Sequence, residues 1–528
     1  MTTITHTGRR YFLGLLGGTA LIGAVPGIAL AADKTTTASG FKPDLEIELR
    51  AAPDQVGIWS GRPTSVWRYQ AKVMKGDAHA VTTLPESYLG PIIRVHKGTK
   101  IRIHFYNDLP QASVVHWHGL IVPEVMDGHP RYAIPPGGKY LYEFEVGNRA
   151  GTYWFHPHPH GHTGEQVYGG LAGLFIVTDD EERALKLPDG ERDVALVIQD
   201  RSFTRDNQLR YTGGGQGMGG MMGRMNGFTG DQILVNGHPD YTLTAERKPY
   251  RLRFLNGSNS RIYKLAWDDG SPFTVIGTDG GLLAAPVSRP YVTLAPAERI
   301  ELWVDFSSRK AGEELTLRSL SFPVSGGGGM MGGGMMGGMM GGGGSGLANG
   351  AEFSVLKVKV GKGVAQAEKL PERLSIIAAV TPQQAGNFKS PRIFSVTAGR
   401  MQWGLNGRVF EMEEVADDEI VKLGTTEVWQ LENEATMGMM GGMPHPIHVH
   451  GVQYRILERS VHPAAMSGWS SLSAGFVDEG WKDTVLVMPG ERVQLLLRFN
   501  NYPGLFVYHC HNLEHEDMGM MRNFQIKA

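Results

Sequence analysis

An all-β fold of three tandem sandwich domains is predicted by three observations on this 528-residue chain. Glycine and proline are abundant, 72 and 29 residues, and they punctuate short stretches such as Ile101-Arg102-Ile103-His104-Phe105-Tyr106. That alternation is the period-2 pattern of strands with one buried face. The chain also repeats itself. Pro136-Gly137-Gly138-Lys139 precedes an alternating strand, Leu141 to Val146, then Gly151 and Tyr153-Trp154-Phe155-His156-Pro157-His158. Pro489-Gly490-Glu491-Arg492 precedes Val493 to Phe499, then Gly504 and Val507-Tyr508-His509-Cys510-His511, with the same 20 residues from proline to histidine. A third copy starts at Pro296-Ala297-Glu298-Arg299 and runs through Ile300 to Phe306, with no histidine pair after it. A β unit of about 150 residues repeated in this way implies sandwiches in series, the middle one without ligands.

Taken in order, Gly8-Arg9-Arg10-Tyr11-Phe12-Leu13-Gly14 opens an apolar run to about Val25, followed by Ala29-Leu30-Ala31. This reads as a twin-arginine export signal over 1–31 with an A-x-A cleavage site. Gly17, Gly18, Gly23 and Pro26 break the run, which argues against a permanent anchor. A soluble monomer exported folded to the periplasm or beyond is expected. The first domain is placed at 42–180, the second at 190–360 and the third at 371–528. Charged linkers, each carrying Leu-Pro, fall at about 179–190 and 361–372. Lys plus Arg number 51 against 53 Asp plus Glu, so no net charge favours nucleic acid or an anionic membrane as partner.

The chemistry sits in histidine pairs and one cysteine. His116/His118, His156/His158, His448/His450 and His509/His511 are H-x-H pairs, two in the first repeat and two in the last. On an extended segment both rings of such a pair face one way, so packing domain one on domain three brings eight imidazoles into one cleft. One H-x-H alone is commonplace on surface strands, whereas four at matching places in a repeat are not. Eight neutral imidazoles suit copper, with room for three ions and dioxygen. Cys510 is the only cysteine, so it forms no intrachain disulfide. With His515 at +5, Met520 at +10 and one further histidine it supplies a blue-copper set. Because strand side chains alternate, Cys510 points away from His509 and His511, and one strand serves two metal sites.

The motifs HWHG (116–119), YWFHPH (153–158), HPIHVHG (445–451) and HCHNLEHEDMGM (509–520) resemble those of the three-domain multicopper oxidases, the family of laccases and bacterial copper-efflux oxidases. The resemblance runs from about residue 45 to the end. It implies cupredoxin-like Greek-key domains and four copper ions. Type 1 copper would take His445, Cys510, His515 and Met520, and type 2 copper His116 and His448. One type 3 ion would take His118, His156 and His509, the other His158, His450 and His511. Spacing alone leaves 156/158 and 158/160 open; the family pattern and the repeat choose 156/158. The implied reaction passes electrons from a donor near type 1 through Cys510 to His509 and His511, and reduces dioxygen to water. Asp127 and Glu516 are the candidate proton-delivering acids, each of which also reads as an ordinary turn or surface carboxylate. Asp483 is a weaker candidate for orienting a histidine.

Three Gly-Met tracts interrupt the pattern, and two of them fall in domain two as insertions at 213–227 and 326–346. The first holds Met218, Met221, Met222 and Met225; the second includes Met335, Met336, Met339 and Met340; the third holds Met437, Met439, Met440 and Met443. Dense glycine disfavours regular structure, so mobile tracts are expected. Soft thioethers select cuprous copper, and the third tract ends two residues before His445. Copper-efflux oxidases are similar here, except that their acid four residues before the first type 1 histidine is Gly441 in this chain. A cuprous oxidase serving copper tolerance is the reading, with a laccase acting on phenols or aromatic amines as alternative. A two-domain nitrite reductase would lack four H-x-H pairs, and a non-enzymatic copper-sequestering protein would not need Cys510. Partners are dioxygen and a cuprous ion, another metal ion or a phenol as electron donor.

Overall fold

The structure is a computed structural model that describes residues 40–528 except 212–222, 324–346, 378, 380, 400–401 and 435–441. The export signal therefore lies outside the described residues, as do Met335, Met336, Met339, Met340, Met437, Met439 and Met440. Six sheets fall into three face-to-face pairs along the chain. In the first pair, Thr64–Lys75, Leu45–Val56, Lys100–Asn107 and Lys139–Glu145 oppose a sheet whose inner strands are Ile92–His96, Gly173–Thr178 and Gly151–Pro157. The alternation at 101–106 is realised: Ile101, Ile103 and Phe105 are buried and the residues between them half-buried. The middle pair has seven and five strands between Asp193–Arg201 and Phe353–Val360. The last pair places Thr425–Asn433 and Glu491–Phe499 in one sheet, and His445–Val449, Gly504–Cys510 and Thr484–Val487 in the other. Each sandwich encloses its own apolar core.

The repeat has one physical motif in all three sandwiches. A strand ends in a buried asparagine, and its neighbours are a parallel opening strand and an antiparallel strand after the proline turn. The asparagine amide donates to two carbonyls: Asn107 to Gln111 and Ile134, Asn256 to Arg261 and Leu294, Asn433 to Met443 and Val487. Its backbone carbonyl accepts from the turn residue at positive φ, Gly137, Ala297 or Gly490. Two copies put glycine there, the residue that takes this backbone without a Cβ clash, and the middle copy holds a buried alanine at φ 71°.

Thr37–Ala528 form one compact unit. The linker leucines explain why: Leu187 and Leu370 pack with Leu374 of the third domain against Ile276 and Leu282. Beside them Arg253 of the middle domain pairs with Glu301 at 2.8 Å and Asp193 at 3.1 Å, and Glu301 also accepts from Thr152 of the first domain at 2.7 Å. Among the described residues no helix is long and apolar enough to cross a membrane.

Candidate metal centre

The two outer sandwiches meet through their histidine-bearing segments. His116 is paired with His156 across one antiparallel ladder and His448 with His509 across another. All eight imidazoles are buried, and rings from the two domains interleave. His116 stacks on His450 and His118 on His448, each at 3.7 Å between centroids. Nε2 of His116 lies 3.3 Å from Nε2 of His448, while Nε2 of His509 lies 3.3 Å from that of His158 and 3.2 Å from that of His450. His160 and His162 are exposed, so the first domain contributes 156 and 158.

One expected division is reversed. His509 groups with His158 and His450, whereas His511 sits 5.1 Å from His118 and 5.2 Å from His156 between ring centroids. The antiparallel register is the reason. His448 faces His509, so His450 is two positions from the partner of His509 and four from that of His511.

The outward ring nitrogens are tied down, which fixes how the rings point. Nδ1–H of His116 donates to the Asp127 carbonyl and that of His448 to the Asp483 carbonyl, both at 2.7 Å. Nδ1–H of His450 donates to the Asp127 carboxylate at 2.7 Å, and His156 Nδ1–H to the Pro157 carbonyl at 2.8 Å. His118 is turned the other way, its Nε2–H donating to Asp483 at 3.0 Å. Left without a hydrogen-bond partner among the described residues are His118 Nδ1, His156 Nε2, His158 Nδ1 and both nitrogens of His511. Burial first of all pushes His116, His118, His448, His450 and His511 below the ordinary imidazole pKa, and takes His156 to about 3 and His158 to about 4. Neutral, converging nitrogens with no protein partner are what a bound cation needs.

The acids differ. Asp127 Oδ2 is occupied by His450, but Oδ1 is buried without a partner, and burial raises this carboxyl well above its ordinary pKa. For Glu516, burial acts upward and His158 and His509 more than offset it, holding the carboxyl at about 2. Its Oε2 lies 3.1 Å from His509 Nδ1. Asp483 is gripped by Arg299, whose Nη1 donates to Oδ1 at 2.7 Å. That arginine comes from the middle sandwich, which supplies no histidine to the cluster.

Cys510 faces the other side of its strand. Its Sγ lies 3.5 Å from His445 Nδ1 and 3.7 Å from His515 Nδ1, and those nitrogens are 3.3 Å apart. Cys510 N–H donates to the Met520 carbonyl and Met520 N–H to the His515 carbonyl, which folds the loop so that Met520 joins the core cluster of Cys510. All four residues are fully buried. Burial pushes the thiol up and the His515 imidazole down to about 3, and the one hydrogen bond that favours a thiolate, from Asn512 N–H to Sγ at 3.4 Å, does not offset the burial. A soft cation between sulfur and two Nδ1 atoms would support the thiolate.

Two family profiles, both described as multicopper oxidase, match residues 66–182 and 386–528. A "Multicopper oxidase mco" of Staphylococcus haemolyticus is 31% identical over 444 residues, 83% of this chain and 82% of its own length. This chain is a multicopper oxidase. A laccase of Bacillus subtilis is 31% identical over 482 residues, covering 83% of this chain and 88% of the relative. The crystal structure of the McoA multicopper oxidase of Aquifex aeolicus superposes with TM-score 0.74 at 31% identity, over 92% of this chain and 97% of that one. Multicopper oxidases hold four copper ions, one type 1, one type 2 and a type 3 pair.

Sequence reasoning missed Arg299 and the carbonyl of Met225, which accepts from His515 Nε2–H at 3.0 Å. Arg299 ends the third copy of the proline turn, a position the repeat marks. No sequence signal marks a carbonyl. Met225, expected in a mobile tract, is buried on a turn of helix at 223–226 within the core cluster of Cys510. Met443 is half-buried against the same cluster.

Proposed function

We propose that type 1 copper is held by His445, Cys510, His515 and Met520, type 2 by His116 and His448, and the type 3 pair by His118, His156, His511 and by His158, His450, His509. When bound, these coppers supply one-electron oxidation of a donor at type 1 and reduction of dioxygen to water at the other three. The protein's part is to connect and to protonate. Cys510 is covalently continuous with His509 and His511, so a single strand joins the two sites. Asp127 holds a proton at Oδ1 close to His116 and His450, and Asp483 fixes the ring of His118. Glu516 stays ionised and orients His509.

The preferred donor on this reading is cuprous ion, as in copper tolerance, each ion giving up one electron. The observation that carries it is that two Gly-Met tracts are rooted on the type 1 cluster, through Met225 and Met443. Thioether sulfur selects cuprous copper. A laccase acting on phenols is the second reading, favoured by the likeness to laccases. Initial rates on cuprous ion, ferrous ion and a phenol from one preparation test the choice, together with a variant carrying Leu at 437, 439, 440 and 443. Leucine keeps the apolar bulk without the sulfur. If that variant oxidises limiting cuprous ion as fast as its parent, the tracts are covers and the laccase reading stands. Folded export through the 1–31 segment belongs to the same proposal. Arg9→Lys/Arg10→Lys should leave the precursor uncleaved in the cytoplasm.

A further inference from the structure

The edge of a type 1 histidine is the natural place for a donor to meet the protein, and in this chain the His515 edge is occupied. Nε2–H of His515 donates to the Met225 carbonyl at 3.0 Å, and the same carbonyl accepts from Trp403 Nε1–H at 3.0 Å. Trp403 lies over both imidazoles, its ring centroid 4.6 Å from that of His445 and 5.2 Å from that of His515. Three residues on, Phe228 N–H donates to Glu514 Oε2 at 2.9 Å, and the other Glu514 oxygen accepts from Tyr211 at 2.9 Å and Asn259 at 2.8 Å. The Phe228 carbonyl accepts from Ser260. Gly227 takes φ 76°, and a Cβ there would lie 2.6 Å from Ser260 Cβ and closer still to the Asn512 side chain. Asn512 and Glu514 precede His515 by three residues and one on the copper loop. A middle-domain segment is thus tied to the third-domain copper loop by two hydrogen bonds, from His515 to the Met225 carbonyl and from Phe228 N–H to Glu514, with Trp403 bonded to the same carbonyl and Gly227 packed close to Asn512.

We propose that residues 225–228 form a strap that determines donor specificity at the type 1 site. It fixes the His515 tautomer with Nδ1 toward Cys510, and it replaces an open imidazole edge by a peptide carbonyl. An electron bound for His515 on that side crosses the Met225 peptide. A small metal ion docked on the strap is within reach of this route, whereas a planar aromatic donor cannot stack on the ring. The inference rests on the type 1 assignment made above, and it adds the middle domain to a site built otherwise from domain three.

The test uses the full copper-loaded chain. Gly227→Ala forces the left-handed turn out of its conformation and pushes the strap off Asn512 and Ser260. None of the copper ligands is changed. The expected result is a blue protein whose KM for a bulky phenol falls several-fold and whose type 1 midpoint potential shifts, as the hydrogen bond to His515 weakens. A parent without the blue absorption would overturn the type 1 assignment and the strap together. A blue parent and a blue Gly227→Ala variant with the same phenol KM and potential would overturn the strap alone. Should the variant fail to fold, the parent itself gives a second measurement. After brief transfer to D2O, pulsed EPR of type 1 copper should show an unexchanged His515 Nε2 proton. Immediate deuterium exchange at that position would mean an open edge and sink the proposal.

Discussion

Asp127 and Asp483 do different work at the same cluster, and a single atom distinguishes them. Asp127 leaves Oδ1 unpartnered in a buried site, the condition for a carboxyl that keeps its proton. Asn at 127 still accepts from His450 but has no proton to deliver. Asp127→Asn should therefore lower oxygen consumption by about 10²-fold or more, the scale of general acid catalysis. Anaerobic bleaching of the blue colour by substrate should persist, and equal loss of both rates would show a folding defect. Asp483 spends both oxygens on His118 and Arg299. Asparagine would turn an amide N–H₂ on one of those donors. Asp483→Asn should lower trinuclear copper occupancy or turnover by about 10- to 100-fold, as outer-sphere partners of metal-bound histidines do. Blue absorption from Cys510 should remain, because no atom of the type 1 set touches Asp483. Metal analysis beside the visible spectrum separates the two sites.

At the scale of the element, the buried asparagine and the proline turn are one device used three times. Asn256 makes the same pair of carbonyl contacts as Asn107 and Asn433, yet it serves no copper ligand. Asn256→Ala should cost about 2 kcal/mol, since the Arg261 and Leu294 carbonyls lose a buried donor. Denaturant unfolding followed by fluorescence checks this, and copper content per folded molecule should not change. The turn residue can be tested in the first copy. Gly137 takes φ 75°, and a Cβ added there would meet nothing within 4 Å, so Gly137→Ala isolates the backbone cost. About 1 kcal/mol is expected for a left-handed alanine. Ala297 shows that this cost is tolerated where the methyl is buried between domains.

On the scale of the whole molecule, the middle sandwich works as a frame. It pins the first domain through Thr152 and Glu301, and the third through Arg299 and Asp483. Asp193 belongs to that frame. Burial acts to raise its carboxyl, but Arg253, Arg251 and Arg94 outweigh this and hold it below the usual carboxylate range. A pKa lower in the folded than in the unfolded state stabilises the fold at pH above the unfolded value of about 4, and that stability is lost as pH falls through the folded value. Melting temperature should accordingly decline in acid below about pH 4. Asp193→Asn should remove about 3 kcal/mol at neutral pH, because it leaves Arg253 buried beside one partner fewer. It should also flatten the acid decline, and a variant melting like its parent from about pH 7 to about pH 3 would exclude this account.

The sequence by itself determined the three-sandwich plan, the histidine pairs and the single thiol, because strand periodicity and repeat spacing are local properties that sterics impose on any chain. It also marked which side of the Gly504–Cys510 strand serves each site. It did not decide which ring meets which. The exchange of His509 and His511 came from antiparallel register, and the burial of Met225 from a core that belongs to another domain. Arg299 and the Met225 carbonyl act across domain boundaries, where spacing along the chain carries no information. Only packing brought residues 225 and 515 together, since a peptide carbonyl has no side-chain identity to read and gains its role from the hydrogen bond a buried imidazole must make.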